Sequence, residues 1–305
     1  MTEGLATGIE FGPWRLDALL STRVGGEVRL AARADGLKVA LRRVLPGAPE
    51  QAAVAVARER EALCRVSHPR VVRWVDSGRV GPVIWSATEW VRGVDLLTLC
   101  QDQPLVAEQA AVIVHDLADA LVACHESGVL HGDLAPTNLV VDAQGQTTLI
   151  DFGLAESPDG PARAPHSGTP AYIDPEAHAG APRQPASDIY ALGLLWARAM
   201  LGAPPLQATD AAPARLSDAQ LRQALERAGW SASLLRDCLS SDPAERPLAT
   251  TLRSALSPRS RAHLGALSAR LWRAPVATTP VVAAEDRGEQ VTDPGGETVT
   301  GYGAS

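Results

Sequence analysis

The sequence predicts an α+β chain of two lobes: a small antiparallel β-sheet lobe carrying one helix, then a larger, mainly helical lobe. Three observations predict it. Short runs that alternate apolar and polar residues dominate the chain before Glu89, and a helical period takes over from Leu96 to about Leu256. The helical half is interrupted by a strand-turn-strand stretch from His131 to Gly153.

The elements follow in order. Residues 14–45 alternate in short runs broken at Gly25-Gly26 and Asp35-Gly36, the punctuation of antiparallel strands joined by tight turns. From Pro49 to Val66, apolar Val54, Val56, Ala57, Leu63 and Val66 recur at helical spacing among charged residues, which predicts one helix. VVRWVDSGRV and PVIWSATEWV read as two more strands, and a hinge between lobes falls at Glu89 to Gly93. The expected organisation is a flexible N-terminus over 1–12 and a domain over 13–256, with its small lobe at 13–90 and its large lobe at 93–256. An amphipathic helix follows over 257–272, with Leu264, Leu267, Leu271 and Trp272 covering the large lobe. Residues 273–305 hold too few large apolar side chains to pack and read as a disordered tail.

Composition narrows the partners. With 305 residues, 46% hydrophobic and 21% charged, the chain can bury the core of one two-lobed domain. Its formal net charge is −7 and its basic residues are scattered, which argues against nucleic acid as a partner. Neither a signal-type N-terminus nor a long apolar run is present, so the expected location is cytoplasmic, without a membrane anchor. Cys64, Cys100, Cys124 and Cys238 share no metal-ligand spacing and read as buried, reduced thiols. Lys38 is the only lysine; every other basic residue is arginine.

HGDLAPTNLVV, a turn at Asp142 to Gly145, and TTLIDFG place Asp133, Asn138 and Asp151 in one short stretch. With VALR at Val39 to Arg42, GTPAYIDPE at Gly168 to Glu176, SDIYALG around Asp188 and DPAERP around Arg246, the order and spacing resemble the eukaryotic-like, bacterial-type Ser/Thr protein kinases over roughly residues 14–256. The resemblance implies a bilobal protein-kinase-like fold that uses ATP with Mg2+ or Mn2+. It assigns Asp133 as the base that accepts the substrate hydroxyl proton, and Asn138 and Asp151 as metal ligands. Around the nucleotide it implies Ser21 and Gly26 from a glycine-rich loop, Val28, Ala40 and Val140 about the adenine, and Arg42 where a Lys usually pairs with a helix Glu, here Glu59. The hinge edge would be Glu89, Trp90 and Val91, with Thr88 guarding the pocket behind it. Read from the residues alone, Glu59 fits a solvated helix face equally well. Thr169 resembles the threonine that touches the catalytic Asp in Ser/Thr-directed kinases, and Glu176 is expected to pair with Arg246.

The departures bear on activity. Ser21 and Arg23 stand where glycines usually admit phosphate, Arg42 replaces Lys, and Ala135 replaces a loop Lys. Lys38, on the Arg42 face of its strand but ~13 Å away, is a candidate substitute cation. Gly132 replaces the Arg that binds a phosphorylated activation-segment residue, so phosphorylation at Ser157 or Ser167 is not the expected switch. His131 reads as a packed structural residue. The implied function is ATP-dependent transfer to Ser or Thr hydroxyls of a protein substrate. The alternatives are a pseudokinase regulating a protein partner without transfer and, suggested by HGDL followed by Asn, a small-molecule phosphotransferase.

Overall fold

The computed structural model describes residues 8–23, 25–101, 103–157, 168–202, 205, 209, 212–256 and 261–273. The small lobe is a six-stranded antiparallel sheet built from β1 (Ile9–Phe11), β2 (Trp14–Arg23), β3 (Gly26–Arg33), β4 (Lys38–Val44), β5 (Trp74–Val80) and β6 (Val83–Glu89), in the order β1-β2-β3-β4-β6-β5. Alternation along these strands divides the sheet into two faces. Trp14, Leu16, Ala31, Val39, Leu41, Trp85 and Ala87 form the core on one side, with the Trp14 and Trp85 rings edge to face at 6.1 Å. Cross-strand register puts Ser21, Val28, Ala40, Arg42, Ser86 and Thr88 on the other face. Helix α1 (Glu50–Arg65) buries Val56, Glu59, Ala62 and Leu63 and stops at Val66, ahead of Pro69.

Two expectations about this lobe are corrected. Ile9–Phe11 is a strand paired with β2, not part of a flexible stretch, because Phe11 is buried with Trp14 and lies under the Arg43 guanidinium at 4.8 Å. Residues 1–7 lie outside the described residues. Cys64 is exposed, since α1 buries only one stripe, whereas Cys100, Cys124 and Cys238 are buried as expected. Burial pushes the Cys100 and Cys238 thiols up to about 12.

The large lobe centres on α3 (Ala107–Glu126) and α5 (Pro185–Leu201), both buried along most of their circumference. Gly202, left-handed at φ 72°, ends α5. Around them pack α2 (Leu96–Leu99), α4 (Pro175–His178), α6 (Asp218–Ala228), α7 (Ala232–Cys238) and α8 (Ala249–Ala255). The expected strand pair, β8 (Leu139–Val141) and β9 (Thr147–Leu149), gains a third member in β7 (Val94–Asp95), giving the order β7-β8-β9. The β8–β9 turn is set by Asp142, whose carboxylate accepts from the N–H groups of Gln144 and Gln146.

The C-terminal helix, expected over 257–272, is α9 (Arg261–Arg273). Residues 257–260 and 274–305, the expected tail beyond Arg273, lie outside the described residues. Its Leu264 is fully buried, and Leu267, Leu271 and Trp272 pack against the main core. Arg261 donates two 2.6 Å hydrogen bonds to buried Asp116 of α3. Among the described residues no helix is long and apolar enough to cross a membrane.

Candidate active site

The segment from His131 to Asn138 is shaped from below by Asp188, in the first turn of α5. Its buried carboxylate accepts from the N–H groups of His131 and Gly132 at 3.0 Å each and from His125 Nε2 at 2.9 Å. Burial works to raise this carboxyl, but His125 and the other donors outweigh it and hold it below its ordinary value. His131 is fully buried, with Nε2 at 3.2 Å from the Ile150 carbonyl and its ring edge to face with Phe152 at 4.7 Å. It packs, as expected, rather than facing a substrate.

The same loop presents Asp133. Its Oδ1 accepts from both the N–H and the Oγ1 of Thr169, each at 2.8 Å. Asn138 Nδ2 donates to the Asp133 backbone carbonyl at 2.9 Å. That bond engages the amide nitrogen of Asn138, and its oxygen is the atom chemically suited to a hard cation. The Asn138 backbone carbonyl accepts from Ile150 N–H at 2.9 Å, tying Asn138 to the residue before Asp151.

Asp151 has φ 65°, a left-handed conformation that asparagine and aspartate tolerate best among side-chain-bearing residues. Arg42 of β4 reaches it across the cleft, with Nη2 donating to Asp151 Oδ1 at 2.6 Å. The same guanidinium has its Nε 3.7 Å from Glu59 Oε2 of α1, which also accepts from Ser86 Oγ at 3.5 Å. Glu59 is only 4% exposed, so the solvated-face reading is replaced by an inward one. Burial disfavours the Arg42 charge, but Glu59 and Asp151 together outweigh it and hold the guanidinium protonated. Lys38 is not a substitute cation: it begins β4 exposed, while Arg42 already spans the two carboxylates.

The residues expected to face a nucleotide divide in kind. Register places Ser21, Val28, Ala40, Arg42 and Thr88 on one sheet face, and Val140 lies on β8 opposite Asp95. A Cβ on Gly93 would come within 2.3 Å of the Val141 carbonyl and 2.8 Å of a Val140 methyl, so this hinge position admits only glycine. The Glu89 and Trp90 N–H groups donate to the carbonyls of Arg73 and Lys38, and Trp90 also faces Trp272 of α9 at 6.3 Å. Among the described residues no backbone partner is seen for the Val91 N–H. Gly26 has a steric reason of its own, because a Cβ there would meet the Arg43 carbonyl at 2.2 Å. Ala135, which stands where the resembling kinases carry a loop Lys, is buried in the main core. Val24 and the Arg23 side chain lie outside the described residues.

Beyond the cleft, the 168–176 segment is braced as expected: Arg246 Nη2 donates to both Glu176 carboxylate oxygens at 2.9 Å. Arg246 also donates to the Ala186 carbonyl and lies over the Tyr190 ring. Ser167 lies outside the described residues. Two features have no counterpart in the sequence reading: the Arg183–Glu156 ion pair beside Gly132, and the Asp188 contacts that shape the loop. Asp188 was visible as a motif residue. Arg183 and Glu156 carry no local signal, being 27 residues apart on irregular chain.

Set against known proteins, residues 23–255 match the protein kinase domain family. The chain is 34% identical over 206 residues to serine/threonine-protein kinase PkaA of Streptomyces coelicolor, an alignment covering 64% of this chain and 38% of that protein. It is 34% identical over 244 residues to serine/threonine-protein kinase pkn2 of Myxococcus xanthus (73% and 29%). It is 32% identical over 208 residues to serine/threonine-protein kinase PknD of Mycobacterium tuberculosis (66% and 31%). The chain therefore spans well under half the length of these relatives.

Proposed function

This chain belongs to the protein kinase domain family, and from that premise we propose that it transfers the terminal phosphoryl group of ATP to Ser or Thr hydroxyls of a protein substrate. The observation that carries the reading is the double grip of Thr169 on Asp133 Oδ1, at 2.8 Å from both N–H and Oγ1. A carboxylate held this way is aimed rather than free to rotate, which a positioned base requires. The substrate oxygen bonds to the γ-phosphorus, the bond from that phosphorus to the β,γ-bridging oxygen breaks with its electrons going to ADP, and Asp133 takes the hydroxyl proton.

The donor set suits a divalent cation: a carboxylate at Asp151 and an amide oxygen at Asn138 are the hard ligands that Mg2+ or Mn2+ takes together with phosphate oxygens. Bound there, the metal supplies charge neutralisation on the transferring group. Arg42, held by Glu59 and Asp151, directs a positive charge into the same cleft. The paired Glu176 and Arg246 support a platform for a protein substrate, which favours this reading over a small-molecule phosphotransferase. A second reading, a pseudokinase that regulates a protein partner, is favoured by one contact. Arg42 engages Asp151 Oδ1 at 2.6 Å, an oxygen that a metal would also use.

Labelled ATP with Mg2+ or Mn2+ separates the two. The wild-type chain is expected to label itself or a generic basic protein, and Asp133→Asn to lower the rate by about 10²–10⁴-fold while nucleotide still raises the melting temperature. Stabilisation by nucleotide without any wild-type transfer selects the pseudokinase.

A further inference from the structure

Arg183 Nη1 donates to Glu156 Oε1 at 2.8 Å, and the two side chains are 7% and 8% exposed. The Glu156 backbone is tied to the catalytic loop: Leu130 N–H donates to the Glu156 carbonyl at 2.8 Å and Glu156 N–H to the Leu130 carbonyl at 3.0 Å. The pair lies in the space beside Gly132, where a Cβ would stand 3.5 Å from Glu156 Oε1 and 3.6 Å from Arg183 Nη1. A Cβ on Gly168 would stand 3.5 Å from both Arg183 Nη2 and Asp133 Oδ1. Gly168 directly precedes Thr169, whose two donors hold Asp133. One guanidinium thus borders the loop before Asp133, the start of the activation segment and its end.

Gly132 cannot be restored to the arginine of the resembling family without strain. Its φ is 71° and a Cβ would meet the Leu154 carbonyl at 3.0 Å. The cation missing from that position comes from Arg183 instead, and Glu156 supplies the anion that a phosphorylated side chain would otherwise bring.

We propose that Arg183, through Glu156, is a positioning residue that holds the described ends of the activation segment, Glu156 and Gly168-Thr169, against the catalytic loop without a phosphate on that segment. The proposal rests on the phosphotransfer reading. Its consequence is an Asp133–Thr169 contact that stands constitutively.

The test uses the full chain and the double variant Arg183→Met/Glu156→Leu, which removes both charges so that neither is left buried alone. Phosphatase-treated wild type is expected to transfer phosphate within about twofold of the untreated protein. The double variant is expected to lose about a hundredfold in kcat, with the KM for ATP and the melting temperature near wild type. Amide hydrogen exchange at Thr169 and Leu130 is expected to quicken by about tenfold or more in the double variant and to be unmoved by phosphatase. Loss of wild-type turnover on phosphatase treatment overturns the proposal, as does a double variant with wild-type turnover and protection. If the wild type transfers nothing, the phosphotransfer reading fails and exchange alone judges the brace: protection lost in the double variant sustains it, and protection kept overturns it.

Discussion

The two halves of the cleft are held in different ways. On the large-lobe side, Asp133 and Asn138 are fixed by short hydrogen bonds from Thr169 and Ile150, and the backbone beneath them donates to buried Asp188, so that many of these bonds involve main-chain groups. On the small-lobe side, one long side chain, Arg42, reaches into the cleft and bridges Glu59 and Asp151. Main-chain bonds tolerate side-chain drift, whereas a single guanidinium carries the charged link within the cleft; outside it the lobes are also joined by Val72 N–H to the Leu149 carbonyl at 3.0 Å and Leu149 N–H to the Arg70 carbonyl at 2.8 Å. The large-lobe half is over-determined and the small-lobe half is not.

That contrast can be broken most directly at Arg42. Arg42→Met leaves the carboxylates of Glu59 and Asp151 in a largely desolvated cleft, and stability is expected to fall by about 3–5 kcal/mol in chemical denaturation. A loss below about 1 kcal/mol would mean that Arg42 adds little to the bonds that Arg70 and Val72 make with Leu149. Arg42→Lys is the gentler change. A compact ammonium does not span both carboxylates as the guanidinium does. Released from its 2.6 Å partner, Asp151 is expected to bind metal more readily, raising the transfer rate severalfold, on the order of 1 kcal/mol in barrier. An unchanged rate would assign the limitation to buried Ala135 or to Ser21 and Arg23, which stand where glycines are usual.

Acid sharpens the same comparison from the other side. Asp188 and Asp116 both sit below their ordinary carboxyl values, because their donors outweigh burial: His125 and loop N–H groups for Asp188, Arg261 and Thr147 N–H for Asp116. Carboxyls held low in the fold contribute stability that is complete above the unfolded value, about pH 4, and is lost as pH falls through the folded value. Thermal unfolding followed from pH 7 to pH 3 is expected to show the loss. In Asp116→Asn, stability at pH 7 drops by about 1.5–3 kcal/mol and the acid-dependent part becomes smaller. An identical pH profile in that variant would rule Asp116 out as a contributor.

Much of this was legible along the chain because the signals are local. Alternation through Trp14, Leu16, Val39 and Leu41 marks a sheet face, and the D-x-x-x-x-N spacing of Asp133 and Asn138 lies within a single loop. Apart from Cys64, which lies off the buried stripe of α1, the failures come from distance in sequence or from brevity of the element. Ile9–Phe11 is too short to show a period, and its strand exists because Phe11 finds the small-lobe core. Glu59 could not be told from a solvated residue until β4 and α1 were brought together. Arg183 and Glu156 sit on irregular chain, where no periodicity announces a partner.

The sequence by itself therefore determined the two-lobed class, the order of the motifs and the identity of the acidic groups, since each is carried by residues within a few positions of one another. The tertiary structure decided which cation serves which carboxylate: Arg42 for Glu59 and Asp151, Arg183 for Glu156, Arg261 for Asp116. Charge pairing depends on distance and desolvation in three dimensions, and a chain nearly all of whose cations are arginines carries no linear mark of either.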